Sequence, residues 1–189
     1  MPYHLKSHAL GAIPIFDFFH NFDLFWERLM QDAEKARRYG EVAKQISAVL
    51  EGEPNEVTRM ATVSCLLSQA FDHYFWTGFY MVDPEKPHEL VVGPYQGTLG
   101  CLRIPFGKGV CGVAAQSKET QLVADVNAFP SHIACDSRSQ SEIVVPVTRP
   151  DGTLMAVFDV DSTTLNSFNE VDKQWLEQIL NDIFGKGPA

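Results

Sequence analysis

The chain has 189 residues, 45% of them hydrophobic, and a formal charge of −9, which fits one ordinary domain with a sizeable core. The acidic balance disfavours a nucleic acid or an anionic membrane surface as partner, and no apolar run approaches the roughly 20 residues of a bilayer span. The N-terminus has no basic start, apolar run and small-residue cleavage site, which points to the cytosol.

Residues 1–30 are dense in Phe, but Asp17, His20 and Asp23 interrupt "IPIFDFFHNFDLFWERLM" (13–30). It reads as an N-terminal extension, residues 1–32, that packs onto the domain (33–189) or onto a dimer partner. Ala36, Tyr39, Ala43, Ile46 and Leu50 recur at helical spacing and predict a helix over 33–50. Val57, Met60, Ala61, Ser64, Leu67 and Phe71 predict a second, with Pro54 in its first turn. "FWTGFYMV" (75–82) and "HELVVGPY" (88–95) read as strands, joined by a long turn over Asp83–Glu89. "GVCGVAAQSKE" (109–119) is a short helix after a Gly-rich loop, and "QLVADV" (121–126) a short strand. Two apolar runs then flank Pro150-Asp151-Gly152, a strong hairpin signal. A last helix carries Phe168, Val171, Trp175, Ile179 and Ile183 as its buried stripe, with Ser167 and Glu170 as a capping box. This order describes an α+β domain, an antiparallel sheet with helices against one face.

The hairpin carries the first chemical signal. A turn centred near Pro150–Asp151 puts Glu142 opposite Asp159 or its neighbour. Asp159 and Asp161 are two apart and share a face, so three carboxylates converge at the end remote from the turn. Like charges that close are destabilising unless a cation or proton intervenes. Solvated strand-end acids are the plain alternative; Mg²⁺, Ca²⁺ or an ammonium group would answer the charge.

The cysteines are the second signal. Cys65 lies in an apolar helix and reads as packing. Cys101 and Cys111 flank the glycine loop, and Cys135 lies in a loop before the strand starting near Glu142. No zinc-knuckle spacing is present, and a structural disulfide framework is not expected in a cytosolic chain of this size. "GKG" lacks the Walker spacing and the following Ser or Thr, so a phosphate loop is not expected. Three thiols allow a relay in which one attacks and another resolves the product as a disulfide. Trp76 and Tyr80, four apart on a strand, share a face. They suit core packing, or a methyl-sulfur or ammonium group.

"WTGFY", "GPYQGTLGCLRIPFGKGVCG", "SHIACDSRSQSEIVVPV" and "MAVFDVDS" together resemble the free methionine-(R)-sulfoxide reductases, a family built on the GAF fold. The likeness covers roughly residues 33–184. It implies a central antiparallel sheet of about six strands, with the terminal helices packed on one face and a ligand pocket under loops on the other. It implies reduction of free methionine-(R)-sulfoxide to methionine, with no metal or organic cofactor and with thioredoxin as electron donor. By the same likeness Cys135 is the attacking thiol, and Cys111 or Cys101 resolves the sulfenic acid. Glu142, Asp159 and Asp161 hold the α-ammonium, and one of them protonates the sulfoxide oxygen. Trp76 and Tyr80 wall the methyl-sulfoxide end, backbone amides near Ile133 and Ala134 hold the carboxylate, and a homodimer is expected by analogy. A non-catalytic GAF sensor and a thiol redox switch are the alternatives, the first needing no thiol relay and the second neither Trp76, Tyr80 nor the acids.

Overall fold

A computed structural model of the chain describes residues 15–131, 133 and 135–186, with side chains from Trp26 onward. The chain divides into two compact units, residues 1–34 and 35–189. Helix α1 (Ile15–Val49) begins well before the predicted 33–50. The Phe-rich stretch is therefore helical from Ile15, and its packing lies outside the described side chains.

After α2 (Glu56–Ala70) come β1 (Trp76–Asp83), β2 (Lys86–Gln96) and β3 (Arg103–Pro105). Helix α3 (Gly109–Ser117), β4 (Gln121–Val123), β5 (Ser141–Thr148), β6 (Leu154–Ser162) and α4 (Glu170–Leu180) complete the order. The strands form one antiparallel sheet in the order β3-β2-β1-β6-β5-β4. Strand β3 was not predicted, because three residues are too few to show an alternating pattern. The predicted long turn between β1 and β2 is a tight one: Asp83 pairs with Lys86 across Pro84 and Glu85.

Both faces of the central strands are covered, so β6 is buried almost throughout rather than alternately. On one face Tyr39 and Ile46 of α1, Met60, Val63 and Leu67 of α2, and Leu176, Ile179 and Leu180 of α4 pack on Phe79, Val145, Phe158 and Val160. The Phe79 and Phe158 rings lie 4.8 Å apart. On the other face Trp76, Tyr80, Val144 and Val157 meet Val110, Cys111 and Ala114 of α3. In α2 the buried stripe runs through Met60, Val63, Ser64 and Leu67, while the predicted Val57 and Ala61 face outward.

Two helix starts differ from expectation. Asn55 caps α2 by accepting from the Thr58 amide, so Pro54 lies before the cap. Asn169, not Ser167, caps α4, and Asp172 rather than Glu170 completes the box. The Ser167 hydroxyl is engaged instead with Ser162 and Thr164. Asp172 is fully buried and also takes the Lys35 ammonium at 2.6 Å and the Tyr39 hydroxyl at 2.8 Å. One carboxylate thus ties α1 to the start of α4.

Gly78 sits where β1 and β2 approach most closely. A Cβ there would lie 2.2 Å from Cβ of Tyr95 and 2.6 Å from its Cα. Gly78→Ala is expected to destabilise the fold by at least about 2 kcal/mol, since backbone must move to admit it. Chemical denaturation checks this: the midpoint falls while the slope is kept.

Candidate active site

Strand pairing assembles one face of side chains. Trp76 pairs with Asp161 and Gly78 with Asp159 across β1–β6. Glu142 pairs with Asp161 and Val144 with Asp159 across β5–β6. The pairing of Glu142 is thus shifted two residues from Asp159: the irregularity at Val147/Thr148 contributes one, and the turn, where the Arg149 amide donates to the Thr153 carbonyl, contributes the other. A shift of two keeps every side chain on its face, where a shift of one would have turned the acids into the helix-side core.

Above this face two loops meet. Cys101 and Cys135 form a disulfide with Cα atoms 5.1 Å apart. The pairing left open between Cys101 and Cys111 falls to Cys101: these two loops bring its thiol within bonding distance of Cys135. Cys111, on the buried side of α3, is a free thiol whose Sγ lies 3.8 Å from Oε1 of Glu142. Cys65 is free and half-buried.

Asp136 was not singled out from the sequence, yet it holds both loops. It accepts from the Thr98 hydroxyl at 2.8 Å and from the Arg138 guanidinium at 2.7 Å. The Arg138 guanidinium, with help from the Arg138 amide and Thr98, holds this carboxyl below the usual carboxylate range. Its one sequence signal is adjacency to Cys135. The Arg138 guanidinium also lies 4.7 Å over the Phe75 ring.

Trp76 and Tyr80 stack with ring centres 5.4 Å apart, and Tyr95, also missed, stacks on Trp76 at 5.0 Å. The Trp76 indole donates to the Thr98 carbonyl at 3.0 Å. Trp76, Tyr80, Cys111, Cys135, Glu142, Asp159 and Asp161 all line one pocket. Ile133 lines it too, while Ala134 lies outside the described residues. Cys101 is partly buried beside this group. With the disulfide closed, the cavity is about 30 Å³. That is room for one or two waters but not for an amino acid.

Burial raises every acid of the cluster. Glu142 and Asp159 are held well above the usual range, by burial first and then by their acidic neighbours. Burial and then the charges of Asp159 and Glu142 raise the Cys111 thiol in the same way. Burial pushes Asp161 from 3.8 up to about 6, against the opposing pull of the Ser139 hydroxyl. The site therefore offers neutral acids as proton donors, or anions once a cation enters.

A carboxyl with a raised folded-state pKa contributes stability that is fully present below its unfolded value and lost as pH climbs through its folded value. For Asp161 that window runs from 3.8 to about 6. The stability advantage of the wild type over Asp161→Asn is expected to shrink as pH rises from about 4 to about 7. His73, which burial holds below its ordinary 6.5, bends both profiles alike and cancels in the difference. Calorimetric Tm values of both proteins at stepped pH measure it, and a growing advantage would contradict the assignment.

The sheet, the two-sided core and the pocket beneath loops define a GAF domain, and the GAF-domain family profile matches residues 65–183. The chain is 47% identical over 146 residues to GAF domain-containing protein A of Dictyostelium discoideum, covering 77% of this chain and 90% of that protein. It is 43% identical over 133 residues to a free methionine-R-sulfoxide reductase of Saccharomyces cerevisiae, covering 68% and 74%. The X-ray structure of the free methionine-R-sulfoxide reductase of Neisseria meningitidis in complex with its substrate superposes with a TM-score of 0.75. Its identity is 46%, over 79% of this chain and 87% of that one. The chain belongs to the GAF-domain family and, within it, to the family of free methionine-R-sulfoxide reductases.

Proposed function

We propose that this protein reduces free methionine-(R)-sulfoxide to methionine, with Cys135 as the nucleophile. The observation that carries the reading is the Cys101–Cys135 disulfide at an acid-floored, aromatic-walled pocket. The Cys135 thiolate attacks the sulfoxide sulfur while Glu142 or Asp159, neutral in the empty pocket, protonates the oxygen. The S–O bond breaks as the hydroxyl passes to the Cys135 sulfur, the bond between that sulfur and the substrate sulfur breaks with it, methionine leaves, and Cys135 is left as a sulfenic acid. The Cys101 thiol then displaces that oxygen as water, giving the disulfide. A dithiol reductant, thioredoxin in this reading, returns both thiols and is itself oxidised to a disulfide. Cys111 is the second thiol within the pocket and the reserve partner of the relay.

Asp161 and its neighbouring acids bind the α-ammonium. Trp76 and Tyr80 receive the methyl-sulfoxide end through sulfur–aromatic contact. The carboxylate is held by backbone amides near Ile133 and Ala134. We further propose a cytoplasmic homodimer, with residues 1–32 as an extension outside the catalytic unit; no helix among the described residues is long and apolar enough to cross a membrane.

NADPH consumption in a thioredoxin-coupled assay tests the reading with the separated R and S epimers of free methionine sulfoxide and the N-acetylated R form. Turnover on the free R epimer alone is the expected result. A folded, reduced protein that turns over none of them would be a ligand-binding GAF domain instead.

A further inference from the structure

The acid cluster is not built of carboxylates alone. Donor atoms of Cys111, Glu142 and Asp159 lie within 4.8 Å of one another, and all three residues are buried. On a tetrahedral zinc ion, a thiolate at about 2.3 Å and a carboxylate oxygen at about 2.1 Å stand about 3.6 Å apart. The Cys111 and Glu142 donors are already 3.8 Å apart. An independent observation points the same way. Oδ1 of Asp159, a residue only 5% exposed, is buried without a hydrogen-bond partner. Such an orphaned buried oxygen is unfavourable, and a cation relieves it.

The three donors come from α3, β5 and β6. Their spacing is therefore set by the fold and not by a local metal motif, which is why the cysteine spacing in the sequence hid it. The donor types discriminate among ions. Carboxylates alone suit Mg²⁺ or Ca²⁺, whereas a thiolate with two carboxylates favours a softer divalent ion. The cavity of about 30 Å³ has room for such an ion and one water.

We infer that Cys111, Glu142 and Asp159 form a site for a thiophilic divalent cation of the Zn²⁺ or Cd²⁺ type, with three protein ligands and a fourth position open to water. The ion takes the ground that an ammonium group would take, so it competes with any free amino acid for the cluster. It binds with the Cys101–Cys135 disulfide intact, since neither of those sulfurs is a ligand.

Cadmium chloride is the probe, titrated into the full chain with that disulfide formed, so that Cys65 and Cys111 are the thiols present. One equivalent per chain is expected to raise the ultraviolet cadmium–thiolate band in the wild type and in Cys65→Ser. Cys111→Ser is expected to lose the band. Asp159→Asn is expected to weaken binding by at least about tenfold, as loss of a ligand should. Thermal unfolding reports whether that variant is folded, and Glu142→Gln carries the same test where it is not. A band that survives in Cys111→Ser, or no band in the wild type up to millimolar cadmium, overturns the inference. None of these readouts uses turnover, so the inference and the reductase reading fail separately.

Discussion

Replacing Cys135 by Ser is expected to lower kcat/KM on free methionine-(R)-sulfoxide by at least about 10³-fold. In the proposed mechanism the Cys135 thiolate is the nucleophile, and a serine hydroxyl is not ionised at neutral pH to replace it. The serine also cannot store the transferred oxygen as a sulfenic acid or pass it on as water. Without any external reductant, the pre-reduced wild type should release about one methionine per chain and end as the Cys101–Cys135 disulfide. Cys101→Ser should release the same first equivalent and then stop, leaving a sulfenic acid that dimedone traps. Cys135→Ser should release none. Chromatographic counting of methionine in this single-turnover format separates attack from resolution. A full first equivalent from Cys135→Ser would remove it from the nucleophile's place. The same count from Cys111→Ser shows whether that buried thiol takes part in resolution.

Asp159→Asn is expected to lower kcat/KM on the free sulfoxide by about 10²-fold or more, which is about 3 kcal/mol. An ammonium group taken from water into this pocket needs the carboxylates to replace its hydration. The amide keeps the shape and removes the charge. The N-acetylated substrate has no ammonium, so its poor rate should change little and the gap between the two substrates should narrow. Steady-state kinetics on both substrates checks this. An equal fall on both would mean that Asp159 serves proton transfer alone and that selectivity resides elsewhere.

Much of this site was legible because β-strand geometry is local. Asp159 and Asp161 are two residues apart, so they share a face in any strand. The Pro150-Asp151-Gly152 turn then brings Glu142 to the same end, with Gly152 in the left-handed region at φ +81°. Trp76 and Tyr80 share a face by the same rule. The four motif stretches carried the family likeness, which the comparisons bear out. What failed locally failed for a physical reason. Ser167 and Asn169 are both competent caps, and the choice fell to Asn169 because its partner Asp172 is also claimed by Lys35 and Tyr39 from a distant helix. Asp136 looked like any loop acid until Thr98 came within reach of it.

The sequence by itself determined the element order apart from β3, the face on which the acids and aromatics lie, and the three thiols of the proposed relay. These follow from periodicity, turn chemistry and the motifs, all of which act over a few residues. Tertiary structure alone decided which thiol faces Cys135. Cys101 and Cys111 are ten residues apart, and nothing in that spacing ranks them. The loop after β2 carries Cys101 over the pocket to Cys135, while α3 turns Cys111 inward against Glu142. It also decided that Glu142 faces Asp161, because the turn and one irregularity in the hairpin each move the register by a residue. Pairings across the sheet depend on how distant segments pack, and no short window of sequence contains that information.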